Sequence, residues 1–374
     1  MNRISAFCLL TCVMLGGSIG KAQHGLERGW LAKHSGDYSS VTSNLAVDQN
    51  GNALVSTAVH KRGSSIIMGK NSHISFIGDE KKLGYPNLVL SQYSSAGNIN
   101  WSLTIECKEA IYAHSIIVDS ENNYLVGGSF KHDANFIGTQ GNRIYIPYQT
   151  AEDYNKSMHR FYIAKYTNEG KLLWVKTGVA WDEAFCKKII TDKEGNVYAW
   201  VYTMSVYLVV EDYIFQRYEK GHPVGRNELT LVKIDAQGDI KWITRAGMNF
   251  DPFDIFLNTE NQICVQGAVS MPWYCFKYVD GTETVIDERE DKAKYGQSET
   301  YILSSDNGHL LRREKSIGAD LYGHVNRIEP LKSGYMKWLA PRYKPTDRRS
   351  ILRIGDKDLS VEYQQWTRAL CKVN

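Results

Sequence analysis

Residues 161–177 read FYIAKYTNEGKLLWVKT and residues 188–203 read KIITDKEGNVYAWVYT. In each, apolar residues rich in β-branched and aromatic types flank a short polar turn containing Gly, which is the pattern of a two-stranded hairpin. Both phrases recur. The second returns as NLAVDQNGNALVSTAV (44–59), SIIVDSENNYLVGGSF (115–130), DIFLNTENQICVQGAV (254–269) and, worn down, NRIEPLKSGYMKWLAP (326–341). The first returns as LVLSQYSSAGNINWSLTI (88–105), LTLVKIDAQGDIKWITR (229–245) and SDNGHLLR (305–312).

Anchoring the second phrase on Asp48, Asp119, Asp192, Asn258 and Glu329 gives steps of 71, 73, 66 and 71 residues. The glycines of the first phrase, Gly97, Gly170, Gly238 and Gly308, step by 73, 68 and 70. Two hairpins per unit make four strands, and five units with almost no helical periodicity between them predict blades around an axis, an arrangement that leaves no long sheet edge exposed. The expected fold is an all-β propeller of five four-stranded blades, with six as the alternative. Gly supplies the backbone angles of the recurring turn, and the Trp four residues on packs between neighbouring blades.

The phrases D-x-x-G-N and K-y-x-x-x-G-x-x-x-W, best kept at Lys165, Gly170, Trp174, Asp192, Gly195 and Asn196, resemble the SBBP-type β-propeller repeats of secreted and envelope bacterial proteins. The resemblance spans roughly residues 30–340 and degrades in the last two units, where Asn258 and Glu329 replace the Asp and Arg312 replaces the Trp. It implies a fold and an extracytoplasmic setting, and no catalytic residue. Trp30 precedes Asp48 by 18 residues, the interval between Trp101 and Asp119, so the N-terminal segment reads as the last strand of a blade, closing the ring. DLSVEYQQW (358–366) competes for that place.

Residues 1–22 read as an export signal. Arg3 opens it, an apolar run too short to span a bilayer follows, and Gly20-Lys21-Ala22 offers a cleavage site before Gln23. A lipoprotein modified at Cys12 is the rival. The expected product is a single propeller domain over 23–374 in the periplasm, the envelope or the medium. Without Arg3 and Lys21 the chain has 42 basic against 41 acidic residues, a balance that argues against nucleic acid as a partner. No later segment reads as a transmembrane span. Cys107, Cys186, Cys264, Cys275 and Cys371 lack metal-site spacing, and Cys264 with Cys275 is the one local disulfide to consider.

The turns within hairpins are short, whereas long insertions fall at about 60–86, 131–160, 204–228, 270–299 and 341–349. In a propeller these share one face, the usual place for binding, and they are rich in Tyr and Trp, Trp273 among them. At that face the repeat alignment places Ser43, His114, Lys187, Phe253 and His324 around the axis, five residues before each anchor. The candidate ligand-binding residues are Tyr112, His114, Trp181, Asp182, Phe253, Asp254, Tyr322, His324 and Trp273.

No serine-hydrolase elbow, zinc-protease helix or phosphate loop is present, and neither a cofactor nor a metal is expected. SSDNGHLL (304–311) resembles the Ser-x-Asp-x-Gly box of sialidases, itself a structural turn. The expected function is non-enzymatic binding or scaffolding of a protein or glycan. The alternative is a carbohydrate-active hydrolase or lyase using Asp182, Asp254 and Asp320, which requires two carboxyls about 5–9.5 Å apart.

Overall fold

A computed structural model describes residues 33–373 except 37–40, 61–63, 69–70, 78–85, 149–158, 181–182, 204–206, 216–227, 248–249, 270–272, 288–297, 316–322, 331–334, 342–348, 355–356 and 363–368. Beyond residue 322 it describes the backbone alone. The described residues contain no helix; they form antiparallel sheets of up to six strands, an arrangement consistent with a propeller.

Each of the first four repeats contributes four neighbouring strands. The first unit supplies Val41–Val47, Ala53–His60, Pro86–Tyr93 and Ile99–Cys107; the second supplies Ile111–Val118, Tyr124–Lys131, His159–Tyr166 and Leu172–Ala180. The third and fourth repeat the order from Ala184–Thr191 and Phe250–Leu257. In the fifth, Gly323–Pro330, Tyr335–Pro341 and Ala369–Val373 form three strands. The first strands of successive sheets lie against one another.

The turn chemistry explains why the phrases recur. Asp48 Oδ1 accepts the N–H groups of Asn50 and Asn52 at 2.9 and 2.8 Å, and Asp119 and Asn258 accept the corresponding pairs in their own units. This Asx closure tightens the turn without help from the rest of the fold. The second turn ends on a Gly of positive φ followed by a register shift, for example between Lys165 and Tyr166 beside Gly170. An ideal Cβ on Gly170 would lie 3.0 Å from the Trp101 ring; on Gly238, 2.9 Å from Trp174; on Gly308, 2.6 Å from Trp242. Each Trp therefore packs under the turn of the following sheet, where Gly is demanded twice, by its φ of +101° at Gly238 and by the indole beneath it.

The expectation of four-stranded blades needs correction, because the insertions are structured. The hairpin Ala134–Ile137/Arg143–Ile146, inserted in the second unit, pairs with Ile99–Cys107 of the first sheet. The hairpins Leu208–Val210/Tyr213–Phe215 and Trp273–Tyr278/Glu283–Asp287 join the second and third sheets in the same way. Those sheets thus reach six strands, the last two lent by the next unit. The alternation Arg143-Ile144-Tyr145-Ile146, polar and apolar by turns, is strand patterning inside what the spacing alone presents as a loop. DLSVEYQQW is corrected likewise: Lys357–Glu362 pairs with Arg349–Ile354 as the fifth unit's own inserted hairpin.

Cys107, Cys186, Cys264 and Cys275 are buried and in no disulfide, so the Cys264–Cys275 bridge is not formed. Burial pushes the Cys264 thiol up to about 12, which leaves it protonated and inert. Among the described residues no helix is long and apolar enough to cross a membrane.

Candidate functional site

The first strand of each of the five repeats carries one β-bulge, and the bulge organises the site. The ladder skips a residue between Thr42 and Asn44, Ala113 and Ser115, Cys186 and Lys188, and Pro252 and Asp254. The skipped residues are Ser43, His114, Lys187 and Phe253, four of the five assigned to the axial ring. In the fifth strand the shift lies between Val325 and Arg327. Asn326, not His324, is therefore the fifth bulge, two residues from the position that the alignment on Glu329 predicts. At the anchor position the fifth unit has Glu329 where the others have Asp or Asn.

A bulge re-aims the side chain that it displaces, and the residue after it returns to the ladder. That following residue clamps neighbouring sheets together. Asn44 donates its side-chain N–H to Ala113 O at 3.0 Å, Ser115 Oγ accepts the Ile189 N–H at 3.1 Å, and Lys188 donates to Asp254. Asp254 Oδ1 also accepts the Ile255 N–H at 2.9 Å. This candidate carboxylate is buried and already held by a cation and a backbone donor.

The bulge residues of the second and third sheets, His114 and Lys187, share Phe185 as a neighbour. The rings of Tyr112 and His114 are 6.5 Å apart, His114 and Phe185 5.3 Å, and Phe185 stacks on Tyr202 at 4.7 Å. The Lys187 ammonium lies 5.9, 5.6 and 5.7 Å from the ring centres of Phe185, Trp200 and Tyr202, within cation–π range of all three. Tyr112 is 41% exposed, His114 and Lys187 are exposed, and Trp200 is buried beneath them. His114 Nε2 is 3.0 Å from Ser129 Oγ. Although the residue keeps solvent contact, partial desolvation of the ring, and after it the Lys187 charge, lower the His114 pKa from 6.5, so the imidazole is neutral at neutral pH, with Nδ1 the nitrogen that does not face Ser129.

Of the sequence-predicted residues, Tyr112 and His114 belong to this cluster, and Asp254 belongs to the clamp. Phe253, His324 and Trp273 are placed by backbone only: Phe253 at a bulge, His324 opposite Ala340, and Trp273 opposite Asp287 on an inserted hairpin. Trp181, Asp182 and Tyr322, with Asp320, lie outside the described residues. The structure adds Phe185, Trp200 and Tyr202 to the predicted site residues and brings them together with Lys187 of the expected axial ring. Phe185 and Lys187 follow Tyr112 and His114 by 73 residues, so the repeat spacing contained their signal.

Among the described residues no three His, Cys, Asp or Glu side chains gather as a metal site. The aromatic insertions are mixed in role. Tyr145 is 60% exposed, whereas Tyr278 is buried and stacks on His309 at 3.9 Å.

No protein-family model matches the chain. It is similar, at 26% identity over 235 residues, to an uncharacterised WD repeat-containing protein of Acanthamoeba polyphaga mimivirus. The match covers 58% of this chain and 16% of that protein, so the chain spans about a sixth of its length. The relative is named for repeats of a propeller-forming kind, which accords with the sheets described above. A crystal structure of a protein of unknown function from Bacteroides caccae matches 74% of this chain and 86% of its own, with 11% identity and a TM-score of 0.26.

Proposed function

We propose that the chain is an exported β-propeller of five sheets that acts as a non-enzymatic binding or scaffold module, recognising a protein or glycan on the side where the insertions arise. The observation that carries the binding reading is the exposed aromatic and cationic cluster joining Tyr112 and His114 of one sheet to Phe185 and Lys187 of the next. Flat rings with polar edges bind at low entropic cost, and here rigid first strands hold them.

Five sheets are supported by the N-terminal strand Lys33–Gly36. It pairs with the inserted strand Ser64–Met68 so that Gly36 faces Ser65, as Cys107 faces Ala134 one repeat later. By that equivalence it is the fourth strand of the three-stranded sheet ending at Ala369–Val373. Ring closure by the two chain ends follows, and export follows from the character of residues 1–22. The hydrolase reading is weakened by Asp254, whose carboxylate is committed to Lys188.

A glycan array and a peptide array probed with the purified protein test the reading. At least one ligand class should bind, and Tyr112→Ala combined with Phe185→Ala should weaken it about tenfold or more at an unchanged melting temperature. Silence on both arrays, or equal binding by the folded variant, contradicts it.

A further inference from the structure

We propose that the bulge cluster is a subsite for an acidic sugar, a hexuronate whose ring rests on the aromatic faces and whose carboxylate meets Lys187. The inference rests on the binding reading above and names its ligand class.

Two observations point the same way. First, Lys187 is exposed, and among the described residues, which include Glu183 but not Asp182, no carboxylate forms an ion pair with it, whereas Lys188 beside it has one. Its neighbour Lys188 is the cation that was given a partner, Asp254. Lys187 is instead steered by three rings, a setting that holds an ammonium in place without neutralising it. A fixed cation without a counter-charge is a receptor for an anion.

Second, the rings extend from the cation toward solvent. Phe185 and Tyr202 are half-buried and Tyr112 is exposed, with the neutral His114 between Tyr112 and Phe185. A pyranose has one face of C–H groups that lies flat on such rings and a rim of hydroxyls, one of which can meet His114 Nδ1, the ring nitrogen that does not face Ser129.

The carboxylate distinguishes this from a neutral glycan, and the stacking surface distinguishes it from an acidic peptide. Calorimetric titration with a trigalacturonate, its methyl ester and a tri-glutamate peptide separates the three. The acid should bind, lose affinity with added salt and weaken at least tenfold in Lys187→Met, while Lys187→Arg keeps most of it. Tyr112→Ala should weaken the acid and the ester alike, and both lysine variants should melt with the wild type, since Lys187 is exposed. Equal affinity for acid and ester, or indifference to Lys187→Met, overturns the acidic-sugar assignment and leaves the binding reading intact. Lys187-dependent binding of the glutamate peptide alone overturns it as well and assigns the site to a protein partner. No binding by any of the three, joined to silent arrays, removes both.

Discussion

Trp242→Ala lowers the unfolding free energy by about 3–5 kcal/mol, the range for deleting a large buried aromatic side chain. Trp242 is 3% exposed, its indole N–H donates to Ser305 O at 3.1 Å, and its ring lies under Gly308 of the next sheet. The substitution therefore opens a cavity between two sheets and removes one of the two donors to Ser305 O, the Lys233 ammonium at 2.8 Å remaining. Trp242→Phe keeps the packing and loses the hydrogen bond, so its cost is smaller. Denaturant titration of the two variants beside wild type checks the order. A loss under about 1 kcal/mol for the Ala variant would mean that the indole is a surface group, outside the range expected for core truncation.

Lys165→Ala costs a similar amount, about 3–5 kcal/mol, because it removes one partner of a buried ion pair and leaves the other without its counter-charge. Lys165 is 1% exposed; its ammonium is 2.9 Å from Asp119 Oδ2 and 3.4 Å from Ala236 O in the next sheet. The repeat contains its own control. Gln92 holds the equivalent place in the first sheet, donating to Asn168 O at 2.8 Å, while Tyr124 supplies the donor to Asp48 at 3.0 Å. Lys165→Gln should accordingly retain the reach to Ala236 O and lose less than Lys165→Ala. Equal losses for the two, measured by denaturation at neutral pH, would place the whole effect on the charge.

These two sites also indicate how far the sequence could be read. The hairpins, their Asp and Gly corners and the packing role of the Trp were all legible, because each depends on local chemistry: an Asx closure, a positive φ, and a large ring at fixed spacing from the turn. The bulge was half legible. Counting five residues back from the anchors finds Ser43, His114, Lys187 and Phe253 but misplaces the fifth member, since the fifth unit has Glu329 at the anchor position where the others have Asp or Asn.

The strand exchange was not legible. Whether Ala134–Ile137 extends its own sheet or its neighbour's depends on which edge it meets in space, and alternation along a strand does not encode that. The commitment of Asp254 to Lys188 was hidden for the same reason, as the partners lie 66 residues apart on different sheets. Phe185, by contrast, was available from the repeat spacing, and an aromatic residue in register with Tyr112 is the reason the cluster spans two sheets.

The lending of a hairpin from each unit to the sheet before it is the feature on which the remaining architecture depends, and it can be tested at one pair of residues. Ala134 faces Cys107 across the junction, both are buried in one core cluster, and directly opposed residues of antiparallel strands hold their Cβ atoms about 4.5–5.5 Å apart, close to what a disulfide needs. In the folded Ala134→Cys variant the introduced thiol should oxidise with Cys107, giving one linked pair of peptides by mass spectrometry after proteolysis, while the wild type gives no linked pair. A variant that stays reduced while folded, or whose new thiol bridges to a different cysteine, would contradict the exchange.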